Sequence, residues 1–265
     1  MDTDAKQRQW FETAAEGAKV TFCPGDGSDA GAALEEADVI IGNVEPKLVS
    51  KAKNLKWLQL NSAGANTYCQ PGILPDGVLL TNATGAYGLA LSEHMLALTM
   101  AMMKKLYVYH DNQHQSLWQD EGPVTSFYGA TVVVVGFGDI GRNFGRRVKA
   151  LGAQVIGLRR RKGEVPPEAD EMGDMAHFED YLSRADIVAS CLPDTPETYR
   201  IYNKERFMAM KKGAFFVNVG RGSNVDQEAL REAVLSGHLA GAGLDVTDPE
   251  PLPSTDPLWQ TKGIY

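Results

Sequence analysis

Short apolar runs alternate with helix-like stretches along the first third of the chain. The runs that predict β-strands are 20–23, 38–43, 56–62 and 78–82. The stretches that predict helices are 5–18, 31–37 and 46–55. These strand segments are apolar throughout instead of alternating with polar residues, which favours a parallel sheet covered on both faces. A longer helix is predicted from about residue 90 to 109, followed by a polar arm or loop at 111–129 that carries Trp118 and Phe127.

From Ala130 onward the alternation restarts with longer apolar runs. The predicted strands are 131–136, 154–158, 186–192, 214–220 and 240–246. A predicted helix at 138–152 ends at Gly152, and Asn224 with Gln227 resembles a capping box for a helix through Val234. Strands and helices in this order predict an α/β fold with a doubly wound parallel sheet, which binds ligands at the carboxyl ends of its strands.

The composition is that of a globular protein and matters mainly for what it excludes. The 265 residues are 43% hydrophobic and 23% charged and carry a net charge of −8, which argues against a nucleic-acid partner. The N-terminal sequence has no secretory apolar region and the run 95–103 is too short to span a bilayer, so no membrane contact is expected. Cys23, Cys69 and Cys191 form no CxxC pair, which predicts reduced thiols in the cytoplasm and no metal site.

A glycine motif joins the strand of four valines to the helix that follows it. Its residues are Gly136, Phe137, Gly138, Asp139, Ile140 and Gly141. Gly136 permits a tight turn, Gly138 lets the backbone approach a pyrophosphate, and Gly141 lets the helix pack closely on the strand. The helix N-terminus also favours the phosphate charge. In this context the motif predicts a dinucleotide site, and the alternative is a glycine-rich turn that serves packing alone.

The end of the next predicted strand indicates which dinucleotide is bound. An NAD-binding domain usually carries an acidic residue there, which accepts a hydrogen bond from the ribose 2′-OH. This chain instead has Arg159 and Arg160, followed by Arg161 and Lys162. Guanidinium groups bind a 2′-phosphate through charge-assisted hydrogen bonds, so NADP(H) is favoured and NAD(H) is the alternative. A solvated basic loop would carry the same residues.

Three further segments, taken together with the glycine motif, resemble one family. They are NSAGAN at 61–66, NVGRGSNVD at 218–226 and LDVTDPEPLP at 244–253. In this order and spacing they resemble the D-isomer-specific 2-hydroxyacid dehydrogenases, which include phosphoglycerate dehydrogenases and glyoxylate/hydroxypyruvate reductases. The resemblance covers nearly the whole chain. It implies an incomplete flavodoxin-like substrate domain at 1–88 and a Rossmann domain at 89–265 with a dimerisation helix and arm.

The resemblance also implies roles for individual residues. Arg221 matches the arginine that binds the carboxylate and carbonyl oxygen of a 2-oxoacid. Glu250 matches the acid that orients the catalytic histidine for proton donation, and Asp245 matches the residue that holds the nicotinamide carboxamide. The backbone amides of Ala63 and Gly64 match the loop that cradles the substrate carboxylate. The residues that match the remaining cofactor wall are Cys191, Leu192, Pro193, Val219 and Gly220.

The family's catalytic histidine has no counterpart in this sequence. In the family it follows the acid after a short strand, whereas here the sequence ends with LWQTKGIY at 258–265, and a first strand and a closing helix are missing as well. The histidines present are His94, His110, His114, His177 and His238. His94 is expected to be a packing or capping residue. None of the five has the sequence placement to meet Glu250 and Arg221, although distance in sequence does not forbid proximity in space.

Two functions follow as expectations from the resemblance and from the missing histidine. The first is NAD(P)H-dependent reduction of a small 2-oxoacid to the D-2-hydroxyacid by a homodimer. The second is dinucleotide binding without catalysis, by a non-catalytic or truncated inactive relative.

Overall fold

Two parallel sheets organise the chain, each with a hydrophobic core of its own. The computed structural model describes residues 3–23 and 27–265, and it divides into two units, Met1–Ala86 and Tyr87–Tyr265. The predicted α/β class with parallel sheets is confirmed. No helix in the described part of the chain is long and apolar enough to cross a membrane.

The first unit contains a three-stranded parallel sheet in the order β1-β2-β3. Its strands are β1 (Val39–Ile41), β2 (Trp57–Gln59) and β3 (Leu79–Thr81). Its helices are α1 (Ala5–Ala14), α2 (Gly31–Glu36) and α3 (Pro46–Val49). Ile40 and Leu58 point into the core on one face of the sheet, whereas Val39 and Leu79 on the other face are 48% and 60% exposed. One face of this sheet is therefore buried and the other is open.

The predicted strand at 20–23 is wrong, because these residues have no regular secondary structure and join no ladder among the described residues. A strand needs a neighbour to accept and donate its backbone hydrogen bonds, and local β-propensity cannot supply one. The aromatic ring of Phe22 instead packs edge-on against Phe11 of α1, at 6.4 Å between centroids. Helix α1 also ends four residues earlier than predicted, because Glu16 and Gly17 adopt positive φ angles that stop the helix.

The second unit contains a six-stranded parallel sheet in the order β6-β5-β4-β7-β8-β9. Its strands are β4 (Thr131–Val135), β5 (Gln154–Arg159), β6 (Glu171–Asp174), β7 (Ile187–Ser190), β8 (Ala214–Asn218) and β9 (Leu239–Leu244). Its helices are α4 (Gly88–Met103), α5 (Leu106–His114), α6 (Asp139–Ala150), α7 (Phe178–Leu182), α8 (Lys204–Ala209) and α9 (Gln227–Leu235). The strand order reverses direction between β4 and β7, as it does in a doubly wound sheet.

Helices cover both faces of this sheet, and the valines of β4 show how. Val132 and Val134 belong to one buried cluster together with side chains of α4 and α6. Val133 and Val135 belong to the opposite cluster, with side chains of α7, α8 and α9. Successive residues of a strand point to opposite faces, so the four valines pack alternately into the cores on the two faces of the sheet. The predicted doubly wound arrangement is confirmed.

The long helix predicted at 90–109 is interrupted. It forms two helices, α4 and α5, because Lys105 lies in the left-handed region with φ +55°. The Lys104 and Lys105 side chains donate hydrogen bonds to the backbone carbonyls of Thr125 and Glu121, which ties the following segment to the break. Of the two alternatives for the arm, an interface element or a segment folded back on its own subunit, Phe127 follows the second, because it is buried in the core of its own unit.

The capping box predicted at Asn224 and Gln227 is also wrong. Helix α9 begins after Asp226, whose carboxylate accepts a hydrogen bond from the backbone amide of Ala229. Asn224 is buried instead, and its side-chain amide donates to the carbonyls of Pro193 and Thr198. The sequence patterns missed β6 and α8, which are only four and six residues long.

Candidate functional site

The sequence-predicted residues of the second unit meet at one edge of its sheet. Five adjacent strands end there, and each carries one of these residues at or just beyond its last position. In spatial order across β5, β4, β7, β8 and β9 they are Arg159, Gly136, Cys191, Val219 and Asp245. The carboxyl edge of an open α/β sheet, at the point where strand order reverses, is where such folds bind ligands.

The turn between β4 and α6 can be formed only with glycine at two positions. Gly136 has φ +90°, and a Cβ atom placed on it would lie 2.7 Å from the carbonyl oxygen of Cys191. A Cβ on Gly141 would lie 2.6 Å from the carbonyl oxygen of Gly136. The tight turn and the close helix–strand packing predicted for these two glycines are therefore observed.

The third glycine of the turn faces open space. No atom lies within 4 Å of the position that a Cβ on Gly138 would take, and no side chain caps the start of α6. The first amide groups of a helix have no partner within the helix, so they offer hydrogen bonds and a positive dipole end to an anion. Asp139 leaves this space open, because its carboxylate accepts a hydrogen bond from the Asn143 side chain at 3.1 Å. The turn thus fits a dinucleotide phosphate.

The side chains of Phe137 and Ile140, the two apolar residues of the motif, pack into the core of the unit. The Phe137 ring is fully buried between Gly145 and Gly157, where a Cβ on Gly145 would already lie 3.0 Å from it. Ile140 is half-buried and packs against the same core cluster as α4. The carbonyl oxygen of Phe137 accepts a hydrogen bond from Arg159 Nε at 2.8 Å, which ties the end of β5 to the glycine turn.

A basic cleft of about 310 Å³ lies beside the turn. Its lining residues are Gly138, Asp139, Arg142, Asn143, Arg146 and Arg159. Arg160, the next residue along, is exposed, and its charge reaches the loop after β7. There the pKa of Glu197 is lowered first by its own backbone amide and then by the Thr195 hydroxyl, with a smaller contribution from Arg160.

Glu168, which no sequence pattern indicated, anchors two arginines of this cleft. Its buried carboxylate accepts hydrogen bonds from Arg142 Nε at 3.2 Å and from Arg146 Nη2 at 3.3 Å. Burial works against ionisation of Glu168, but its hydrogen bonds from the backbone and from these arginines outweigh burial, so its pKa is lowered. A buried acid followed by a strand gives no recognisable sequence signal, so only the fold reveals this contact.

The ends of β7 and β8 press against each other. A Cβ on Gly220 would overlap the carbonyl oxygen of Leu192, so glycine alone fits there. Val219 is buried and donates its backbone N–H to Ser190 at 3.1 Å, and the carbonyl of Pro193 accepts a hydrogen bond from Asn224. Burial raises the pKa of Cys191 to about 12, so its thiol stays protonated and uncharged.

Arg221 presents its guanidinium at the exposed end of β8. Its Nη1 donates to the carbonyl oxygen of Gly220 at 2.6 Å, and it forms no ion pair with any residue in 3–23 or 27–265. Asn218 fixes the backbone below it, donating from Nδ2 to the Arg221 carbonyl at 2.9 Å. A charged group without an ion-pair partner at the carboxyl edge is available to an anion.

The loop after β9 lies directly beside Arg221. A Cβ on Gly222 would overlap the backbone of Thr247, and Gln227 holds Asp248 through two hydrogen bonds of 2.8 and 2.9 Å. Glu250, further along this loop, is exposed and makes no hydrogen bond or ion pair to the described residues. The loops that carry Arg221 and Glu250 are thus packed together.

His94 occupies a position that the sequence analysis did not foresee. It is exposed on α4, and its Nε2 lies 3.3 Å from Oδ1 of Asp245, so the expected packing or capping role is wrong. The other histidines lie elsewhere: His110 and His114 contact each other on α5, His177 pairs with Asp174, and His238 contacts the Met210 carbonyl. Within the described ranges no histidine contacts Glu250 or Arg221, and no cluster of three or more potential metal ligands occurs.

The loop that carries Ala63 and Gly64 belongs to the first unit and follows β2. Asn82 donates to the carbonyl of Ala63 at 2.7 Å, and the Ser62 hydroxyl donates to the carbonyl of Gly64 at 2.7 Å. These contacts fix the shape of the turn through its carbonyl groups.

A doubly wound sheet with this glycine turn and this carboxyl edge defines the second unit as a dinucleotide-binding Rossmann domain. Residues 96–265 match the family model described as "D-isomer specific 2-hydroxyacid dehydrogenase, NAD binding domain". The chain belongs to the D-isomer-specific 2-hydroxyacid dehydrogenase family, which confirms the resemblance seen in the sequence.

Individual relatives agree with this assignment. D-3-phosphoglycerate dehydrogenase of Mycobacterium leprae is 34% identical over 239 residues, covering 88% of this chain and 45% of that protein. The chain thus spans about half the length of this relative. A structure of a D-isomer specific 2-hydroxyacid dehydrogenase family protein from Aeromonas salmonicida has a TM-score of 0.83 and 30% identity, covering 97% of this chain and 84% of that one. The NADPH-dependent glyoxylate/hydroxypyruvate reductase of Sinorhizobium meliloti, solved with NADP and sulfate, has a TM-score of 0.77 and 27% identity, covering 89% and 77%.

Proposed function

We propose that this chain binds NADP(H) along the carboxyl edge of its six-stranded sheet and serves the reduction of a small 2-oxoacid to the D-2-hydroxyacid. One observation carries the proposal: Arg221 presents an exposed guanidinium at the end of β8, with no ion-pair partner among the described residues. A guanidinium binds a carboxylate and a neighbouring carbonyl oxygen through two parallel hydrogen bonds. A 2-oxoacid offers that pair of groups.

The cofactor assignment rests on the glycine turn and the arginines beside it. Gly138 leaves room for a pyrophosphate at the start of α6, and Arg159 is held at the turn by its bond to Phe137. Arg160 is exposed next to it and supplies a second guanidinium for a 2′-phosphate. The Sinorhizobium relative, named as NADPH-dependent and solved with NADP, supports the same choice over NAD(H).

Each remaining residue has a defined task in the proposed reaction. When bound, the nicotinamide supplies the hydride that reduces the C2 carbonyl, and the resulting alkoxide takes up a proton. Arg221 would hold the substrate carboxylate and stabilise the negative charge that develops on the C2 oxygen. By resemblance to the family, the backbone amides of Ala63 and Gly64 would bind a substrate carboxylate, and Glu250 would orient the group that donates the proton. Asp245 would accept a hydrogen bond from the nicotinamide carboxamide.

A second candidate function is dinucleotide binding without catalysis. It is favoured by one observation, that Glu250 contacts no imidazole in the described part of the chain. A proton donor contributes typically 10²–10⁴-fold to the rate of such a reaction, so its absence would reduce turnover without reducing cofactor affinity. Oxidation of NADPH in the presence of glyoxylate or hydroxypyruvate, followed at 340 nm, distinguishes the two candidates.

Calorimetric titration with NADPH and NADH tests the proposed cofactor. We expect NADPH to bind more tightly, and Arg160→Ala to weaken NADPH by roughly 10- to 100-fold, the value of a hydrogen bond to a charged group, while leaving NADH unchanged. Lys212→Ala is the matched control, because Lys212 is exposed just before the amino end of β8, at the opposite edge of the sheet. Equal binding of the two dinucleotides would overturn the NADP(H) assignment, and binding of neither would overturn the function.

We also propose a homodimer as the assembled form. The polar segment after α5 exposes two large apolar side chains, Trp118, which is fully exposed, and Leu117, which is 46% exposed. Aromatic side chains presented in this way are typical of protein interfaces, and a second copy of the chain is the partner that the family resemblance implies. Sedimentation equilibrium tests the proposal, since a monomer at micromolar concentration would contradict it.

A further inference from the structure

His94 and Asp245 form an isolated pair at the carboxyl edge of the sheet. His94 Nε2 lies 3.3 Å from Asp245 Oδ1, and neither side chain has another polar contact among the described residues. At this distance a protonated imidazole attracts the carboxylate, whose oxygens can only accept hydrogen bonds. The second oxygen of Asp245 is left for another donor.

Both backbones are held in place, so the pair has a fixed geometry. Two residues of α4 close to His94, Ser92 and Met95, are fully buried, and Met95 Sδ lies 3.8 Å from Cys191 Sγ. The backbone N–H of Asp245 donates to the carbonyl of Asn218 at 3.0 Å, which fixes it to the end of β8. Two fixed backbones therefore keep the imidazole and the carboxylate within reach of each other.

We infer that His94 is a positioning residue that orients Asp245 to accept a hydrogen bond from the carboxamide N–H of the nicotinamide. The inference rests on the proposed function, because it assumes that a nicotinamide dinucleotide lies along this edge. On this inference, His94 of α4, a helix outside the βαβ units, contributes to recognition of the nicotinamide ring. An isolated surface ion pair would contribute little to stability and nothing to selectivity.

The test compares NADP⁺ with its 3-acetylpyridine analogue, in which a methyl ketone replaces the carboxamide and no N–H can be donated. Dissociation constants of both are measured by calorimetry for the full chain and for His94→Ala and His94→Gln. We expect His94→Ala to weaken NADP⁺ by about three- to tenfold, through loss of one oriented hydrogen bond, and to leave the analogue unchanged. His94→Gln keeps a side-chain N–H donor and should restore part of the lost affinity.

Two controls separate positioning from a structural role. Glu93→Gln removes the neighbouring α4 ion pair with Arg147, whose atoms lie 3.2 Å apart, and should change neither dissociation constant. In an Asp245→Asn background, His94→Ala should have no further effect on NADP⁺ affinity, because the pair acts as one unit.

Several outcomes would overturn the inference. Equal weakening of NADP⁺ and of the analogue by His94→Ala would make His94 a structural residue, and no weakening of either would make the pair a surface contact. If the unmodified chain bound NADP⁺ and the analogue equally, Asp245 would not accept a hydrogen bond from the carboxamide, although the chain would still bind a dinucleotide. If it bound neither, the proposed function would fall together with the inference.

Discussion

At the scale of single residues, Gly141 and Gly138 of the glycine turn have opposite surroundings. Substituting one should mainly affect folding, and substituting the other should mainly affect ligand binding. A methyl group on Gly141 would meet the Gly136 carbonyl at 2.6 Å, whereas a methyl group on Gly138 would meet nothing within 4 Å. The first position is constrained by the fold and the second by whatever ligand approaches the turn.

We therefore predict different effects of the same substitution at the two sites. Gly141→Ala should lower the free energy of unfolding by about 1–3 kcal/mol through overpacking, as measured by urea denaturation. Gly138→Ala should change it by less than about 1 kcal/mol but weaken dinucleotide binding by about tenfold or more, because the methyl group occupies the space of the pyrophosphate. Wild-type affinity in Gly138→Ala would show that the phosphate binds elsewhere.

The sequence predicted residues whose role depends on a local motif. It did not predict residues whose role depends on contacts with distant parts of the chain. The roles of Gly136 and Gly141 in the turn follow from sequence position, because strand, turn and helix are contiguous. Glu168 and His94 could not be found that way. Their partners, Arg142 and Asp245, lie 26 and 151 residues away, and only the fold brings each pair together.

At the scale of elements, ion pairs fasten the edge strand β6 and its approach to the rest of the sheet. Strand β6 pairs with β5 alone, and the carboxylates of Glu168, Asp170 and Glu171 contact Arg142, Lys149 and Arg184. The pKa of each of these carboxyl groups is lowered in the fold. A carboxyl with a lowered folded pKa adds stability above its unfolded pKa, and this stability is lost as pH falls through the folded value.

Replacing Glu168 tests this dependence, because its carboxylate is the most buried of the three. At pH 7 Glu168→Gln should lower the free energy of unfolding by about 1–3 kcal/mol, since two arginines lose a charged acceptor. The unfolded pKa of glutamate is about 4.3, so the difference from wild type should shrink as pH falls below about 4. Urea denaturation between pH 3 and 7 measures both effects.

The control for this series is Glu164→Gln, which removes an exposed carboxylate nearby and should change stability little at any pH. A stability difference between Glu168→Gln and wild type that stays constant down to pH 3 would show that packing of the side chain, and not its charge, matters.

At the scale of the whole molecule, the two units have separate cores of unequal size. The residues of the first core lie between Ala30 and Leu80, and those of the two clusters around the six-stranded sheet lie between Met95 and Ile264. The smaller sheet also leaves apolar side chains such as Val39, Ile41 and Leu79 exposed on one face. Less burial means less hydrophobic stabilisation to oppose the entropy of the unfolded chain.

We predict that urea unfolds the chain in two steps, the first unit before the second. Trp57 in β2 reports on the first step, so Trp57→Phe should reduce its fluorescence change while the far-UV signal still shows both steps. NADPH should shift only the second step, because a ligand stabilises the unit that binds it. A single step that NADPH shifts as a whole would show that the units unfold as one.

Local pattern by itself determined the elements of the second unit whose strands are long and apolar, the glycine turn between β4 and α6, and the family. These features depend on residues that are neighbours in sequence, so a linear pattern contains them. Only the tertiary structure shows that residues 20–23 form no strand, that the predicted long helix is interrupted at Lys105 and that Phe127 is buried. Strand pairing and burial depend on partners that are distant in sequence. Tertiary structure alone brought His94 to Asp245 and Glu168 to its arginines, because a contact between separate elements exists only once the sheet has placed them side by side.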